Sequence, residues 1–322
     1  MVLHHYCVNS GFIEIMDTNN ITVNMILVQF MSIGGKVGVN IFFMISAFFM
    51  ISSSVKWIKV VKLIAQILFY NILSFFLLML LGYEYGIKDY LNIFPLVFSI
   101  PMSFIGSYLV IYLLSPIINK LLCSLSHREF IYLLIVLLSY FSLLQSFFLQ
   151  NTWHYLGWAF TMYCIGGYIK LYKISCKKYP YGMILILLIF SVWGIILLLD
   201  LCGLGKYWTF FIADANKINI LALSVILFLF FLNIHIGYKK IINVVASASF
   251  GVLLLHANNE IMLQWLWKDF LKNTSYYGTN YLWIHMFASV CCIYIVCTIL
   301  ELLRQKFIEK PLFERLKVVN NQ

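Results

Sequence analysis

Two ionisable residues, His256 and Glu260, lie four positions apart in the apolar segment SFGVLLLHANNE, which covers residues 249–260. Residues four apart share one face of a helix, so the carboxylate can fix the tautomer of the imidazole and raise its basicity. A general base needs both properties. The alternative is a neutral histidine bonded to a backbone or hydroxyl group, with Glu260 at the lipid headgroups. The spacing alone leaves both interpretations open.

Three lysines follow one another at intervals of three at the start of an apolar run; they are Lys56, Lys59 and Lys62. On a helix they would lie broadly along one side, where point charges can hold the phosphates of a soluble cofactor. The alternative is topological, because short cytoplasmic loops of membrane proteins collect lysine and arginine in any case. Both interpretations predict lysines at this place.

The composition requires a membrane around these residues. Hydrophobic residues make up 63% of the 322 residues and charged residues only 11%, whereas soluble domains keep about 25% of their residues charged. The net charge of +10 comes from cations in short loops, which favours a topological origin over binding to nucleic acid. The eight cysteines form no C-x-x-C pair and are interpreted as small buried side chains, so no metal site is expected.

A membrane span needs about 20 mainly apolar residues, and the chain contains nine such runs. They are 36–54, 57–81, 103–123, 130–149, 155–172, 182–201, 218–236, 246–267 and 281–303. With the first run directed inward, sixteen of the 22 lysines and arginines fall on one side. This asymmetry predicts an integral, multi-pass protein of the plasma membrane, with residues 1–35 starting outside and a cytoplasmic C-terminus.

The N-terminal residues MVLHHY are expected to be the outer end of a first helix whose inner half is missing from this chain. The predicted fold is therefore an all-α polytopic membrane protein with about ten transmembrane helices, the first one truncated. A short unstructured N-terminus is the alternative. We expect one transmembrane domain over residues 1–317 and a short polar tail at 318–322.

Several stretches in this order resemble the acyltransferase 3 family of membrane O-acyltransferases. VLHHY resembles the end of the first helix, GVNIFFMISAF the signature G-V-x-x-F-F-x-x-S-G-F, and K-x-x-K a lysine version of R-x-x-R. SYLVIYLLSPIIN, SFGVLLLH and EKPL are similar to later segments of the family. These stretches cover residues 2–6, 38–48, 56–59, 107–119, 249–256 and 309–312.

The resemblance implies acetyl-CoA as donor on the cytoplasmic side and a sugar hydroxyl of a surface or capsular polysaccharide, or of its undecaprenyl-linked precursor, as acceptor. It implies no metal and no nucleic-acid partner, and it leaves the oligomeric state open. His5 would be the base, and His256 would assist it or carry the acyl group, with Glu260 beside it. The resemblance implies Lys56 and Lys59 as phosphate ligands, and the spacing adds Lys62 as a third cofactor-binding candidate. Asn40 and Ser46 would line the passage.

Two departures from the family pattern matter. The arginine expected ten residues before His5 has no counterpart, so a chain that truly began at Met1 would be expected to be inactive. Ala47 replaces a glycine and adds a methyl group where a backbone passes closely. The competing interpretation is a polysaccharide transporter or lipid-linked-sugar flippase, but such a protein would place charges within helices and show two similar halves. A glycan polymerase would need arginines in the loops 82–102 and 202–217, which contain none.

Overall fold

The computed structural model describes residues 1–84, 86, 103–174 and 179–319, and over these residues the secondary structure is helical without strands. Most of the predicted connection 82–102, the lysines at 177 and 178, and residues 320–322 of the predicted tail lie outside the described residues. In chain order the helices are α1 (Val2–Asn9), α2 (Phe12–Ile15), α3 (Val23–Ser32), α4 (Val37–Met50), α5 (Trp57–Leu80), α6 (Phe104–Ser124), α7 (His127–Phe147), α8 (Tyr155–Leu171), α9 (Tyr181–Leu201), α10 (Ile218–Asn233), α11 (Lys240–His256), α12 (Glu260–Phe270), α13 (Thr274–Tyr277), α14 (Leu282–Arg304) and α15 (Lys310–Val319).

The predicted all-helical membrane fold is confirmed, but the predicted number of about ten spans is not. Among the described residues, six helical segments are long and apolar enough to cross a membrane, or seven if the bent pair α11–α12 counts as one. The first of them joins α3 to α4 and begins at Val23, not at residue 36. α8 and α10 have 17 and 16 residues, so each is shorter than a typical span.

The helices form two compact units. One unit contains α3, α4 and α6–α10. The other contains α1, α2, α5 and α11–α15, and it includes the two candidate catalytic histidines, His5 and His256. The family stretches at 38–48 and 107–119 belong to the first unit, where their polar residues have packing partners.

Proline in the middle of α6 leaves a backbone carbonyl without its usual helical donor. Pro116 is four residues beyond Tyr112, and the Ser115 hydroxyl donates to the Tyr112 carbonyl at 2.8 Å. The Asn119 amide then donates to the Met50 carbonyl of α4 at 2.8 Å, and the Tyr163 hydroxyl of α8 donates to Asn119 Oδ1 at 2.8 Å. The stretch SPIIN thus supplies a hydrogen-bond donor to the carbonyl that its proline leaves unpaired, and it connects α4, α6 and α8 through Asn119.

α4 and α8 cross at very short range because small residues meet there. A Cβ atom on Gly166 would overlap the Met44 backbone and would lie 3.0 Å from the Ala47 methyl group. The absence of a side chain at Gly166 of α8 therefore makes room for the methyl group of Ala47. Ala47 is fully buried without a local distortion of α4. Close approach of small residues is a common basis of helix association in membranes.

We expect Gly166→Ala to destabilise the protein, because its methyl group forces α4 and α8 apart at a cost of about 1–3 kcal/mol. Gly194→Ala in α9 is the matched control, since a Cβ there meets no atom of the described residues within 4 Å and alanine favours a helix. Thermal unfolding of both variants in detergent measures the difference. Equal midpoints for the two variants would contradict the close packing at Gly166.

Candidate active site

α1 is too short to be stable alone, and it is held by hydrogen bonds to other parts of its unit. The Tyr6 hydroxyl bonds Nδ1 of His285 in α14 at 2.9 Å, and the Asn273 amide donates to the Ser10 hydroxyl at 2.6 Å. The ring of Tyr6 is fully buried and packs edge-on against Trp267 of α12. These contacts fix the position of the histidines that α1 carries.

The predicted continuous helix over 246–267 is wrong. α11 ends at His256, α12 begins at Glu260, and the axes of the two helices differ by 91°. Asparagine side chains compete for backbone hydrogen bonds and favour helix caps, and here Asn259 accepts from the Met262 N–H at 2.8 Å. The Asn258-Asn259 pair was the sequence signal for this break.

The break separates the two residues whose spacing suggested a catalytic pair. Glu260 is exposed at the start of α12, so it does not share a helical face with His256. The carboxylate partner expected for this imidazole is replaced by a second histidine. His256 is 1% exposed, and its Nε2 lies 3.0 Å from Nδ1 of the half-buried His5. The structure thus brings together the two histidines that the family resemblance singled out.

The hydrogen bonds determine the tautomers of the pair. Nδ1 of His256 lies 2.5 Å from the Val252 carbonyl, and a carbonyl can only accept, so this nitrogen carries a proton. In neutral His256 the Nε2 atom is therefore the acceptor, and Nδ1 of His5 must donate to it. The lone pair of neutral His5 then lies on Nε2. That atom is the proton acceptor of the pair.

An apolar cavity of about 360 Å³ lies beside His256. α5, α11, α12 and α14 contribute to its lining. Two polar contacts tie α12 to the end of α5: the Asn259 amide donates to the Ser74 hydroxyl at 3.4 Å, and Tyr83 donates to the Asp269 carboxylate. The second contact raises the pKa of the Tyr83 hydroxyl to about 12.

The three predicted phosphate ligands have different environments. Lys56 precedes the first residue of α5 and is exposed, and Lys59 is exposed in the first turn. Lys62 instead pairs with Glu309 at 2.9 Å. The spacing of three therefore does not give three equivalent cations. Only the first two have the exposure expected of cofactor ligands, and phosphate binding by all three stays a prediction.

Sequence reasoning missed a buried ionic cluster, which we call the Glu301 cluster. It consists of Lys62, Gln66, Tyr70, Glu301, Arg304, Gln305 and Glu309. Glu301 is fully buried, and Arg304 donates to both of its oxygens at 2.8 and 2.9 Å. Tyr70 donates to the same carboxylate at 2.5 Å. The spacing of Glu301 and Arg304 on one helix is the available signal, but the predicted apolar run 281–303 stops one residue before Arg304.

The residues predicted to line a passage lie in the other unit. Asn40 is fully buried: its amide donates to the Ala215 carbonyl and the Ser224 hydroxyl, and its oxygen accepts from Trp158. Ser46 donates to the Phe42 carbonyl of its own helix. Asn40 therefore has a packing role, and a passage at these residues stays a prediction. Among the described residues, no group of three or more His, Cys, Asp or Glu side chains could hold a metal ion.

Fold and site together define an integral membrane protein with a pair of histidines, one buried and one half-buried, that is suited to general base chemistry. The family model described as an acyltransferase domain matches residues 1–302. The chain therefore belongs to the acyltransferase 3 family, as the sequence motifs indicated, and it is a membrane acyltransferase. Comparison with curated proteins gives no match, and neither does comparison with solved structures.

We expect Glu301→Gln to lower stability strongly, because it leaves the buried Arg304 with a weaker partner; breaking such pairs costs about 3–5 kcal/mol. Glu14→Gln is the control, since it removes a pair with Lys268 whose side chains are both substantially exposed, worth about 0–1 kcal/mol. The two unfolding midpoints in detergent provide the measurement. A loss no larger than that of the control would show that the Glu301 cluster contributes little to stability.

Proposed function

We propose that this membrane acyltransferase is an O-acetyltransferase of the plasma membrane. It moves an acetyl group from cytoplasmic acetyl-CoA to a sugar hydroxyl of a surface polysaccharide, such as a capsule, or of its lipid-linked precursor. The observation that carries the proposal is the tautomer of the histidine pair, in which the proton-accepting lone pair lies on Nε2 of His5. The family supplies the reaction class.

The chemistry follows from that lone pair. A sugar hydroxyl is a weak nucleophile at neutral pH until a base takes its proton. Nε2 of His5 takes this proton as the oxygen attacks the thioester carbon; the carbon–sulfur bond then breaks, and the proton passes to the departing thiolate. In an alternative relay, the same Nε2 first attacks the thioester and displaces the CoA thiolate; the acetyl group then passes from the imidazole to the sugar oxygen, and the thiolate takes the proton of the hydroxyl. Either route uses the imidazole without a metal ion.

His256 acts as a positioning residue in this mechanism. Nε2 of His256 accepts the hydrogen bond from Nδ1–H of His5. The Val252 carbonyl accepts from Nδ1 of His256 and so fixes the orientation of the His256 ring. When His5 is protonated, the new positive charge lies near the C-terminal end of α11, where the helix dipole favours a cation. Glu260, exposed at the start of α12, has no step in this mechanism.

The exposed ammonium groups of Lys56 and Lys59 suit the CoA phosphates as point charges. Ser74, which lines the cavity beside His256, lies fifteen residues beyond Lys59 on the same helix, or about 22 Å along the axis. A donor bound at both places must therefore be long and extended, as CoA with its pantetheine arm is. The excess of cations at this end of the spans supports a cytoplasmic position for the phosphates.

We expect His5→Ala to reduce acetyl transfer by about 10²–10⁴-fold, the usual contribution of a general base. His256→Ala is expected to reduce kcat with less effect on the KM for acetyl-CoA, and to change the pH profile because the tautomer of His5 is no longer fixed. Transfer of labelled acetyl groups to surface glycan measures both variants. His154→Asn is the control, because it replaces an exposed helix-capping histidine of the other unit. Full activity of His5→Ala would disprove the assignment of the base.

Charge reversal at the two exposed lysines tests the donor site. Lys56→Glu with Lys59→Glu should raise the KM for acetyl-CoA about tenfold or more, since two like charges then face the phosphates. Lys120→Glu is the control, because it reverses an exposed lysine predicted on the same membrane side. An equal KM for the double variant and the control would return these lysines to a purely topological role.

A further inference from the structure

We propose that the cavity beside His256 binds the acyl chain of the donor, so that the enzyme accepts acyl groups of about four to eight carbons in addition to acetyl. This inference rests on the proposed acyl transfer and extends it to the substrate class. It concerns a partly open pocket within one unit, lined by residues of α5, α11, α12 and α14.

The lining of the cavity suits a hydrocarbon. Aliphatic and aromatic side chains provide nearly all of its surface, and the few polar groups include the hydroxyls of Ser74 and Ser289 and the imidazole of His256. Among the residues that the structure describes, no lysine, arginine, aspartate or glutamate lines it. A headgroup, a sugar or a phosphate would lose its hydration there without gaining partners, whereas an alkyl chain loses only unfavourable contact with water.

The size of the cavity exceeds the need of an acetyl group. A volume of about 360 Å³ is roughly twice that of an engineered apolar cavity that binds benzene, about 150 Å³. An acetyl group contributes one methyl group and would leave most of this space empty. A longer acyl chain would fill more of this space than an acetyl group and therefore fits the site better.

The position of His256 distinguishes an acyl chain from other lipids. This residue belongs both to the wall of the cavity and to the histidine pair. In an acyl thioester the hydrocarbon begins at the carbonyl carbon that reacts, so the chain and the reacting atom are adjacent. In a lipid-linked sugar, phosphate and sugar groups separate the hydrocarbon from the reacting hydroxyl. The cavity begins at His256, whose ring centroid lies 5.1 Å from that of the reacting His5, and it therefore matches the donor.

A series of acyl-CoA donors from two to eight carbons, given to the full chain in lipid vesicles, tests the proposal. Each methylene group that the cavity buries should raise kcat/KM by up to about fourfold. Ser289→Phe fills the cavity and should lower the ratio of hexanoyl to acetyl transfer by about tenfold, the effect of roughly two methylene positions. Ile293→Ala enlarges the cavity and should move the preferred length upward, which guards against loss of folding in the first variant.

Ser139→Phe is the matched control, because Ser139 lines a separate cavity of about 240 Å³ in the other unit; its ratio should stay that of the wild type. A wild-type preference for acetyl together with unchanged ratios in Ser289→Phe and Ile293→Ala would overturn the inference and leave acetyl transfer intact. If the two cavity variants instead changed the KM for the lipid-linked acceptor and left the ratio of hexanoyl to acetyl transfer unchanged, the cavity would belong to the acceptor. That result would also overturn the inference. Transfer from none of the donors would instead refute the proposed function.

Discussion

The structure of the site depends on one hydrogen bond between two imidazoles in an apolar environment. A buried polar atom that lacks a partner costs several kcal/mol inside a membrane, so each ring nitrogen of His256 needs a partner. One contacts the carbonyl of Val252 and the other contacts His5. The same requirement explains why the short α1 is fixed through Tyr6 and Ser10: the donor to His256 must stay in register with it.

The break between α11 and α12 places this pair where chemistry is possible. A continuous helix would enclose His256 in regular backbone, with neighbouring turns on both sides. Because α11 ends at His256, the imidazole lies at a helix terminus, and α12 turns aside by 91° and lines the adjacent cavity. Broken helices of this kind surround substrate sites in other membrane proteins, since irregular backbone is tolerated there beside a cavity.

Much of this arrangement could be predicted from the sequence, and what escaped prediction has identifiable causes. Composition gave the all-helical membrane class, and the motifs brought His5 and His256 into one site. The helix break escaped because averaging hydropathy over 246–267 conceals two asparagines. The Glu301 cluster escaped because counting charges for topology treats Arg304 as a loop cation, although it is only 6% exposed. Pairing between distant helices, as between Lys62 and Glu309, leaves no local pattern to read.

The polar groups of the unit that contains α5, α11, α12 and α14 also explain how the cavity keeps its shape. Glu301 accepts from Tyr70 of α5, and a Cβ on Gly251 of α11 would overlap its carboxylate, so three of the four cavity helices converge there. At the other end, Ser74 of α5 is tied to Asn259 at the start of α12. The apolar lining cannot fix the spacing of these helices, because dispersion forces have no direction and lipid competes equally well for apolar side chains. The hydrogen bonds of Glu301 at one end of the cavity and of Ser74 at the other end are directional, so they can fix this spacing. They leave the space between them free for a hydrocarbon beside His256.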